Sequence, residues 1–505
     1  MSQQPSPRNK SVIVVGAGLG GLAAAISLRA EGFDVEIVEK NERAGGKLNF
    51  LEKEGFGFDL GPSIFTLPQY FESLWERAGK RMSDYVELES VVPHWRNFFE
   101  DGLVIDLNQD LDEMREELKK LPGDAETHWA QFEGFLVYAR EQYDLVEEGY
   151  FAKGLDNVWE MLRHYGWRMI FKMDHKNTMS ESIAARFDDP YLRMIFEYFI
   201  KYVGSSAKDA PGYMNMMPII QFDYGLWYVK GGMYNLARGL TQLLEDLEIP
   251  IRYESEVTTI EKTRKTVTGV TLTSGETLSA DYIVCNMEVL PAYRKLLSEP
   301  PRFMKKLEKF APACSGLVIH LGTDKVYQQL AHHNFFFSQD QDKHFDTVFQ
   351  KGELPEDPTI YLVAPTRTDP SKAPIGCDNI KILPHIPPID PENPHTHEEY
   401  MALKDRVIDK LERMGLTDLR KHTVVEDILT PVDIERMYNS NGGSIYGVVS
   451  DWDKNQAFKA PKQSSKYKNL FFTGGSVNPG GGMPMAILCG QKVSDRVVKQ
   501  EAKSG

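Results

Sequence analysis

The chain has 505 residues and a formal net charge of -15, from 58 Lys and Arg against 73 Asp and Glu, which suffices for two or three domains around a large core needing neither staples nor metals. That acidic balance argues against nucleic acid as a partner, because phosphate binding needs concentrated Lys and Arg. Four cysteines, Cys285, Cys314, Cys377 and Cys489, are scattered without a C-x-x-C pair, which disfavours a zinc site and a disulfide framework and fits a reducing cytoplasm.

Met1 to Lys10 is polar, carries Pro5 and Pro7, and reads as a disordered lead-in without the apolar stretch of a secretory signal. Ser11 to Val15 is a β-branched run predicted as a buried strand. It stops at Gly16-Ala17-Gly18-Leu19-Gly20-Gly21, and a helix rich in Ala and Leu is predicted from Leu22 to Glu31. Gly16, Gly18 and Gly21 fill the G-x-G-x-x-G positions of a dinucleotide-binding turn: tight turn, close approach of a pyrophosphate, and close helix–strand packing. The helix N-terminus would offer N–H groups and positive dipole to the phosphates. A second strand, Phe33 to Val38, ends at Glu39, about twenty residues past the glycines, where a carboxylate would hydrogen-bond a ribose diol. Lys40 follows it, and then Glu42-Arg43-Ala44-Gly45-Gly46-Lys47 supplies a second glycine pair and cations able to touch the same dinucleotide from its other side.

Further along, helices are predicted at Gln69 to Arg81, Asp110 to Leu121 and Glu126 to Tyr150, and strands at Val86 to Val92, Trp95 to Phe99 and Leu103 to Ile105, the last two joined by an Asp101-Gly102 hairpin turn. The aromatic stripe Trp129, Phe132, Phe135, Tyr138 is a core pattern. Leu155 to Met173 interleaves Trp159, Tyr165 and Trp167 with Arg163, Arg168 and Lys172. Two readings stand for it: a helix lying in a membrane interface, with aromatic anchors and basic residues at headgroup height, or a buried helix interrupted at Gly166. Tyr213-Met214-Asn215-Met216-Met217-Pro218-Ile219-Ile220 is dense in methionine, suited to lining a lipid-sized tunnel or to a loosely packed core helix.

A helix from Tyr234 to Leu247 leads back to strands at Val257 to Ile260, Val267 to Leu272 and Asp281 to Cys285. Strands at Ser315 to Gly322, His332 to Phe337, Thr359 to Ala364 and Ile380 to Ile386 form one wall of a second sheet, followed by a helix from Glu398 to Met414 and a helix entry at Thr430-Pro431-Val432-Asp433. Alternation along a strand sends His332 and His333 to opposite faces, so a metal site is not expected. Finally Asn469 to Gly475 reads as a strand entering a glycine turn with Ser476 after it, and Gly480-Gly481-Gly482-Met483-Pro484 precedes a helix from Ala486 to Lys499. Backbone N–H groups and the helix N-terminus there would stabilise negative charge on a bound cofactor. The predicted fold class is α/β: a Rossmann-like domain over 9–92, 226–290 and 440–505, a helical, membrane-associating insertion over 93–225 and an α+β substrate domain over 291–439.

The extension from Glu42 to Lys47, together with Phe58-Asp59-Leu60-Gly61-Pro62-Ser63, resembles the flavoproteins with two dinucleotide-binding domains, in which these stretches accompany FAD. With Gly474 to Pro484 added, the chain resembles, over almost its whole length, the bacterial carotenoid desaturases and oxygenases of the phytoene-desaturase type. Phe199 to Ser206, Leu226 to Val229, Ala331 to Phe337 and Gly415 to His422 are most similar to the C30 branch, the diapocarotenoid oxygenases that oxidise a terminal methyl of diaponeurosporene or diapolycopene to an aldehyde. The resemblance implies noncovalent FAD held by Gly16, Gly18, Gly20, Gly21, Glu39, Lys40, Arg43, Gly46, Lys47, Gly61, Pro62, Ser63, Gly475, Ser476, Gly482, Met483 and Pro484, with the backbone of Val257 on the adenine. It also implies an apolar polyene substrate, delivery from a membrane surface by a peripheral or monotopic enzyme on the cytoplasmic side of the cell membrane, and other carotenoid-pathway enzymes as partners.

A flavin accepts a hydride without any nucleophile or metal in the protein. His332, His333 and Glu197 are the polar candidates for proton transfer, each with a structural reading beside it. The alternatives are a carotenoid desaturase on the same cofactor, a flavin amine oxidase, and a carotenoid-binding protein without turnover.

Overall fold

The computed structural model describes residues 10–167 and 172–504. Its first layer is a parallel sheet with strand order Leu470–Phe472, Tyr282–Cys285, Ser11–Val15, Asp34–Val38 and Ile251–Arg252. Residues 12–15 and the Tyr282–Cys285 strand are apolar and buried, as strands of a sheet covered on both faces require. Because all five run the same way, their carboxyl ends lie along one edge, the place where open α/β sheets bind ligands. The Leu19–Ala30 helix covers one face and packs against the C-terminal helix Met483–Ser504. Glycine makes that contact possible: a Cβ on Gly490 would stand 2.5 Å from the Gly20 carbonyl oxygen. The first and last helices of the chain are thus side by side.

The antiparallel meander Val257–Thr263, Thr266–Leu272 and Thr277–Ser279 leads into the Tyr282–Cys285 strand. The second large sheet has strand order Thr423–Leu429, Val318–Thr323, Asp378–Ile386, Ile360–Val363, His333–Phe336, Trp95–Phe98 and Val104–Leu107. All four strands read from Ser315 to Ile386 fall in it. The Asp101-Gly102 hairpin also forms, but it does not stay with the helical section: Trp95–Phe98 pairs in parallel with His333–Phe336, so the hairpin extends the second sheet. Only Leu88–Ser90 of the Val86 to Val92 run becomes strand, paired with Trp227–Val229.

The helical section is led by Ala125–Val146. Phe132, Phe135 and Leu136 of this helix are buried in the main core, as the spacing of the aromatic stripe predicts. The helix predicted over Leu155 to Met173 is shorter: Val158–Tyr165 ends at Gly166, whose φ of 72° stops the helix, and residues 168–171 lie outside the described part. The methionine-dense stretch becomes a 3₁₀ turn at Gly212–Met216 and the Met217–Tyr224 helix. Capping boxes at Thr396/Glu399 and Thr430/Asp433 open the His397–Arg413 and Pro431–Tyr438 helices, each closing two otherwise unsatisfied N–H groups. Among the described residues no helix is long and apolar enough to cross a membrane.

Candidate active site

One cavity of about 900 Å³ runs along the carboxyl ends of the parallel strands and on into the helical section. Its first part is glycine-walled. Gly16, Gly18 and Gly20 line it from the N-terminal turn, Gly45, Gly46 and Lys47 from the extension, and Gly474, Gly475, Gly481 and Gly482 from the C-terminal turn. Gly16 and Gly482 have φ of 97° and 95°, backbone that only glycine adopts freely. The turns also press on one another. A Cβ on Gly20 would lie 2.8 Å from the Gly474 nitrogen, and one on Gly18 2.5 Å from the Asn286 side-chain nitrogen. The Leu19–Ala30 helix starts at Gly18 with no side-chain cap, so its first N–H groups stand available for an anion. This cradle has the backbone donors, the space and the positive helix ends that a dinucleotide's pyrophosphate requires.

Glu39 lines the same part. Ala17 N–H donates to its Oε2 at 2.6 Å and Asn41 N–H to its Oε1 at 2.9 Å, which orients a carboxylate that still has lone pairs for a diol. Lys40, Lys47, Gly61, Pro62, Ser63, Val257, Met483 and Pro484 line the cavity as well. Lys47 Nζ donates to Glu288 at 3.1 Å and to the Ser444 carbonyl at 2.7 Å. Lys40 has its pKa lowered by burial and donates to the Arg436 carbonyl.

Three of the predicted cofactor residues do not line the cavity. Gly21 packs inward, where a Cβ would meet the Gly16 carbonyl at 2.1 Å, so it serves helix–strand packing rather than contact. Arg43 is drawn aside by its ion pair with Glu42 and by the Phe50 ring beneath it. Ser476 Oγ accepts the Val289 N–H at 3.1 Å, which ties down the C-terminal turn from behind. In their place the structure brings in Asn286, which follows the Tyr282–Cys285 strand and stands against Gly16, Gly18, Gly20 and Gly474. Its position just beyond the carboxyl end of a central strand is the signal that identifies such residues.

The second part of the cavity is apolar. Val146, Phe151, Val158, Met161, Leu162 and Met173 line one side, and Tyr213, Met214, Met216, Met217 and Ile220 another; the methionine-dense stretch is therefore cavity wall. Tyr361, Lys381, Leu383, Tyr446 and Lys459 also line the cavity. Burial lowers the Lys381 pKa to about 8, and its Nζ donates to the Gly61 carbonyl and to Ser63 Oγ. Burial lowers that of Lys459 to about 7, and its Nζ donates to Ser450 Oγ at 2.6 Å and to the Val448 carbonyl.

None of the three candidates for proton transfer lines this cavity. Glu197 is buried, accepts from Ser180 Oγ and has its pKa raised by burial. His332 Nδ1 faces Thr368 Oγ1 at 2.6 Å, and His333 Nδ1 faces the Tyr361 hydroxyl at 2.9 Å. The two histidine rings do not part to opposite faces either: the strand begins at His333, leaving His332 outside it, and the ring centroids are 4.4 Å apart. Among the described residues no group of three or more His, Cys, Asp and Glu side chains is arranged to hold a metal ion.

Residues 19–498 match the model of the flavin-containing amine oxidoreductase family. The chain is 55% identical to a 4,4'-diapolycopene oxygenase of Methylomonas sp, covering 97% of this chain and 98% of the relative. It is 50% identical to a 4,4'-diaponeurosporene oxygenase of Staphylococcus haemolyticus, with 98% of each chain covered, and 46% identical to one of Staphylococcus aureus, with 98% and 99% covered. Among solved structures, an oxidoreductase from Methanosarcina mazei superposes with a TM-score of 0.63 at 14% identity over 96% of this chain and all of that one. Cyclohexylamine oxidase from Brevibacterium oxydans does so with a TM-score of 0.60 at 15% identity over 97% and 99%. The chain is a flavin-dependent oxidoreductase: it belongs to the flavin-containing amine oxidoreductase family and, within it, to the diapocarotenoid oxygenases.

Proposed function

We propose that this enzyme uses noncovalently bound FAD to oxidise the terminal methyl group of a C30 diapocarotenoid, 4,4'-diaponeurosporene or diapolycopene, to an aldehyde. The observation that carries the reading is the continuity of the cavity. A glycine-walled dinucleotide cradle opens without a partition into a chamber of Met, Val, Leu and aromatic side chains, which suits a long apolar molecule with one end presented to the flavin. When bound, FAD supplies the acceptor for a hydride. The protein's own residues do the rest: Glu39 holds the ribose, the paired glycine turns hold the pyrophosphate, and the apolar chamber excludes water and orients the polyene.

The approach to the chamber supports delivery from a lipid surface, with the enzyme peripheral on the cytoplasmic side of the cell membrane. The Val158–Tyr165 helix contributes Val158, Met161 and Leu162 to the cavity wall, while Trp159 is 78% exposed and Trp167 66% exposed beside it. Exposed tryptophans on and beside a helix that also walls an apolar chamber are suited to the headgroup boundary. Other enzymes of the same pathway are the natural neighbours for handing over the polyene.

The test is product analysis by mass spectrometry after incubating the FAD-loaded enzyme with diaponeurosporene under isotopically labelled oxygen. A terminal aldehyde is expected. Products that differ from the substrate only by added double bonds would make the enzyme a desaturase, and release of peroxide with soluble amines would make it an amine oxidase.

A further inference from the structure

The second sheet has two unlike faces. Phe336, Ile360, Leu362, Ile380 and Ile382 pack with Tyr400, Leu403 and Val407 of the His397–Arg413 helix in an apolar cluster. Strand alternation sends the neighbouring residues His333, Tyr361, Lys381 and His385 to the other face, where all four are buried. Polar groups buried in that way are costly unless paired. Two tyrosine–histidine pairs result: Tyr198 with His385 at 3.0 Å and Tyr361 with His333 at 2.9 Å. Of the side chains in these two pairs, only Tyr361 lines the cavity.

The direction of the Tyr361–His333 hydrogen bond follows from what surrounds the imidazole. Burial, reinforced by His332, Lys201 and His94, keeps His333 neutral, so it carries one N–H. Its Nε2 has no hydrogen-bond partner among the described residues. A proton on Nε2 would leave a buried donor without an acceptor away from the cavity, whereas a proton on Nδ1 leaves a lone pair unused at Nε2 and moves the free donor to the Tyr361 hydroxyl, on a side chain that lines the cavity. His333 Nδ1–H therefore donates to the tyrosine oxygen. That leaves the hydroxyl hydrogen of Tyr361 with no acceptor among the described residues, on a side chain that forms part of the cavity wall.

We propose that Tyr361, oriented by His333, donates this hydrogen to the oxygen on the oxidised end of the polyene, so that the alcohol and aldehyde forms are gripped at a point where the parent hydrocarbon is not. The inference rests on the carotenoid reading above and adds a specificity-determining residue to it; His333 is a positioning residue. Its consequence is that the half-oxidised molecule is retained with its oxygen at Tyr361, in the same cavity, for the second oxidation. One such hydrogen bond corresponds to a preference of about tenfold, or ~1.4 kcal/mol.

The experiment measures binding of a C30 polyene aldehyde and of its parent hydrocarbon to the FAD-loaded enzyme, following the absorption band of the bound polyene. A carbonyl in conjugation with the polyene moves that band to longer wavelength when it accepts a hydrogen bond. The wild type should bind the aldehyde about tenfold more tightly than Tyr361→Phe does, with a longer-wavelength band, while the hydrocarbon should bind both proteins alike with the same spectrum. Flavin content and the hydrocarbon spectrum verify that the variant is folded. His333→Asn, which keeps an amide N–H near the place of Nδ1, should retain the shift, and His333→Leu should lose most of it. Equal aldehyde affinity and an identical aldehyde band in wild type and Tyr361→Phe would overturn the proposal while leaving the carotenoid reading intact. A wild type that binds neither polyene would remove that reading and the proposal with it.

Discussion

Alanine at Gly20 asks whether the two ends of the chain close on one ligand. A Cβ there would stand 2.8 Å from the Gly474 nitrogen and 2.9 Å from its Cα, and backbone atoms cannot rotate away as a side-chain tip can. To restore the 3.4 Å of ordinary contact the two glycine turns must separate by about 0.6 Å. Gly20 lies within the Leu19–Ala30 helix, where alanine gains about 1 kcal/mol over glycine, while forcing in the methyl costs ~1–3 kcal/mol. The two effects largely offset in the stability of the flavin-free protein, which should change by no more than about 2 kcal/mol. Flavin binding has no such compensation, because the N–H groups of both turns must reach the same molecule, and its affinity should fall by about tenfold or more. Gly134 is the control: it lies in the Ala125–Val146 helix with nothing within 4 Å of an added Cβ, so Gly134→Ala should stabilise by ~0.5–1 kcal/mol and leave flavin binding unchanged. Titration of the deflavinated proteins with FAD, alongside urea denaturation, reads both quantities. Wild-type affinity in Gly20→Ala would refute the closing of the two turns on the cofactor.

Asp156 accepts from the fully buried Lys462 at 2.6 Å and from Arg496 at 2.8 Å; Asp156→Ala strands a buried lysine and should lower stability by ~3–5 kcal/mol, a claim that a denaturation midpoint near that of the wild type would contradict. Lys459 has its pKa lowered to about 7 in the folded protein, against about 10.4 when unfolded. Between those values the unfolded chain binds the extra proton, so the site's contribution to stability rises with pH. Wild type should therefore gain stability relative to Lys459→Met as pH goes from about 7 to 10, and parallel denaturation curves across that range would show the lysine to be charged throughout. Trp159→Ser should weaken binding to lipid vesicles by about tenfold, since burying an aromatic side chain is worth ~1.5–3 kcal/mol; turnover of detergent-dispersed polyene should be unaffected, and unchanged vesicle binding would place the membrane contact elsewhere.

Much of the cradle was legible because its signals are local. Gly16 to Gly21 sit between a β-branched run and an Ala-rich helix, and Glu39 falls at the end of the next strand, where alternation and spacing alone put it. The chamber was less so. That the methionines of 213–220 face a cavity, and not a core, depends on how a helix packs against remote segments, which composition does not reveal. The same holds for the second sheet: its strands could be read individually, but the parallel register of Trp95–Phe98 on His333–Phe336 is set by partners far apart in sequence. Lys381, Lys459 and Tyr361 carried no local signature, since a lone lysine or tyrosine in a strand or loop is ordinarily solvated. The polarity of His333 marks it in the sequence, yet its part is played through Tyr361, a relation visible only once the two strands are paired.

On the proposed reading, one continuous cavity holds the flavin at its glycine-walled part and the polyene in its apolar part. Titrating the FAD-loaded enzyme with diaponeurosporene while recording flavin emission and the visible flavin band tests it most directly. Both should be perturbed together, saturating at one polyene per flavin. Saturable polyene binding that leaves the flavin's emission and absorption untouched would contradict it.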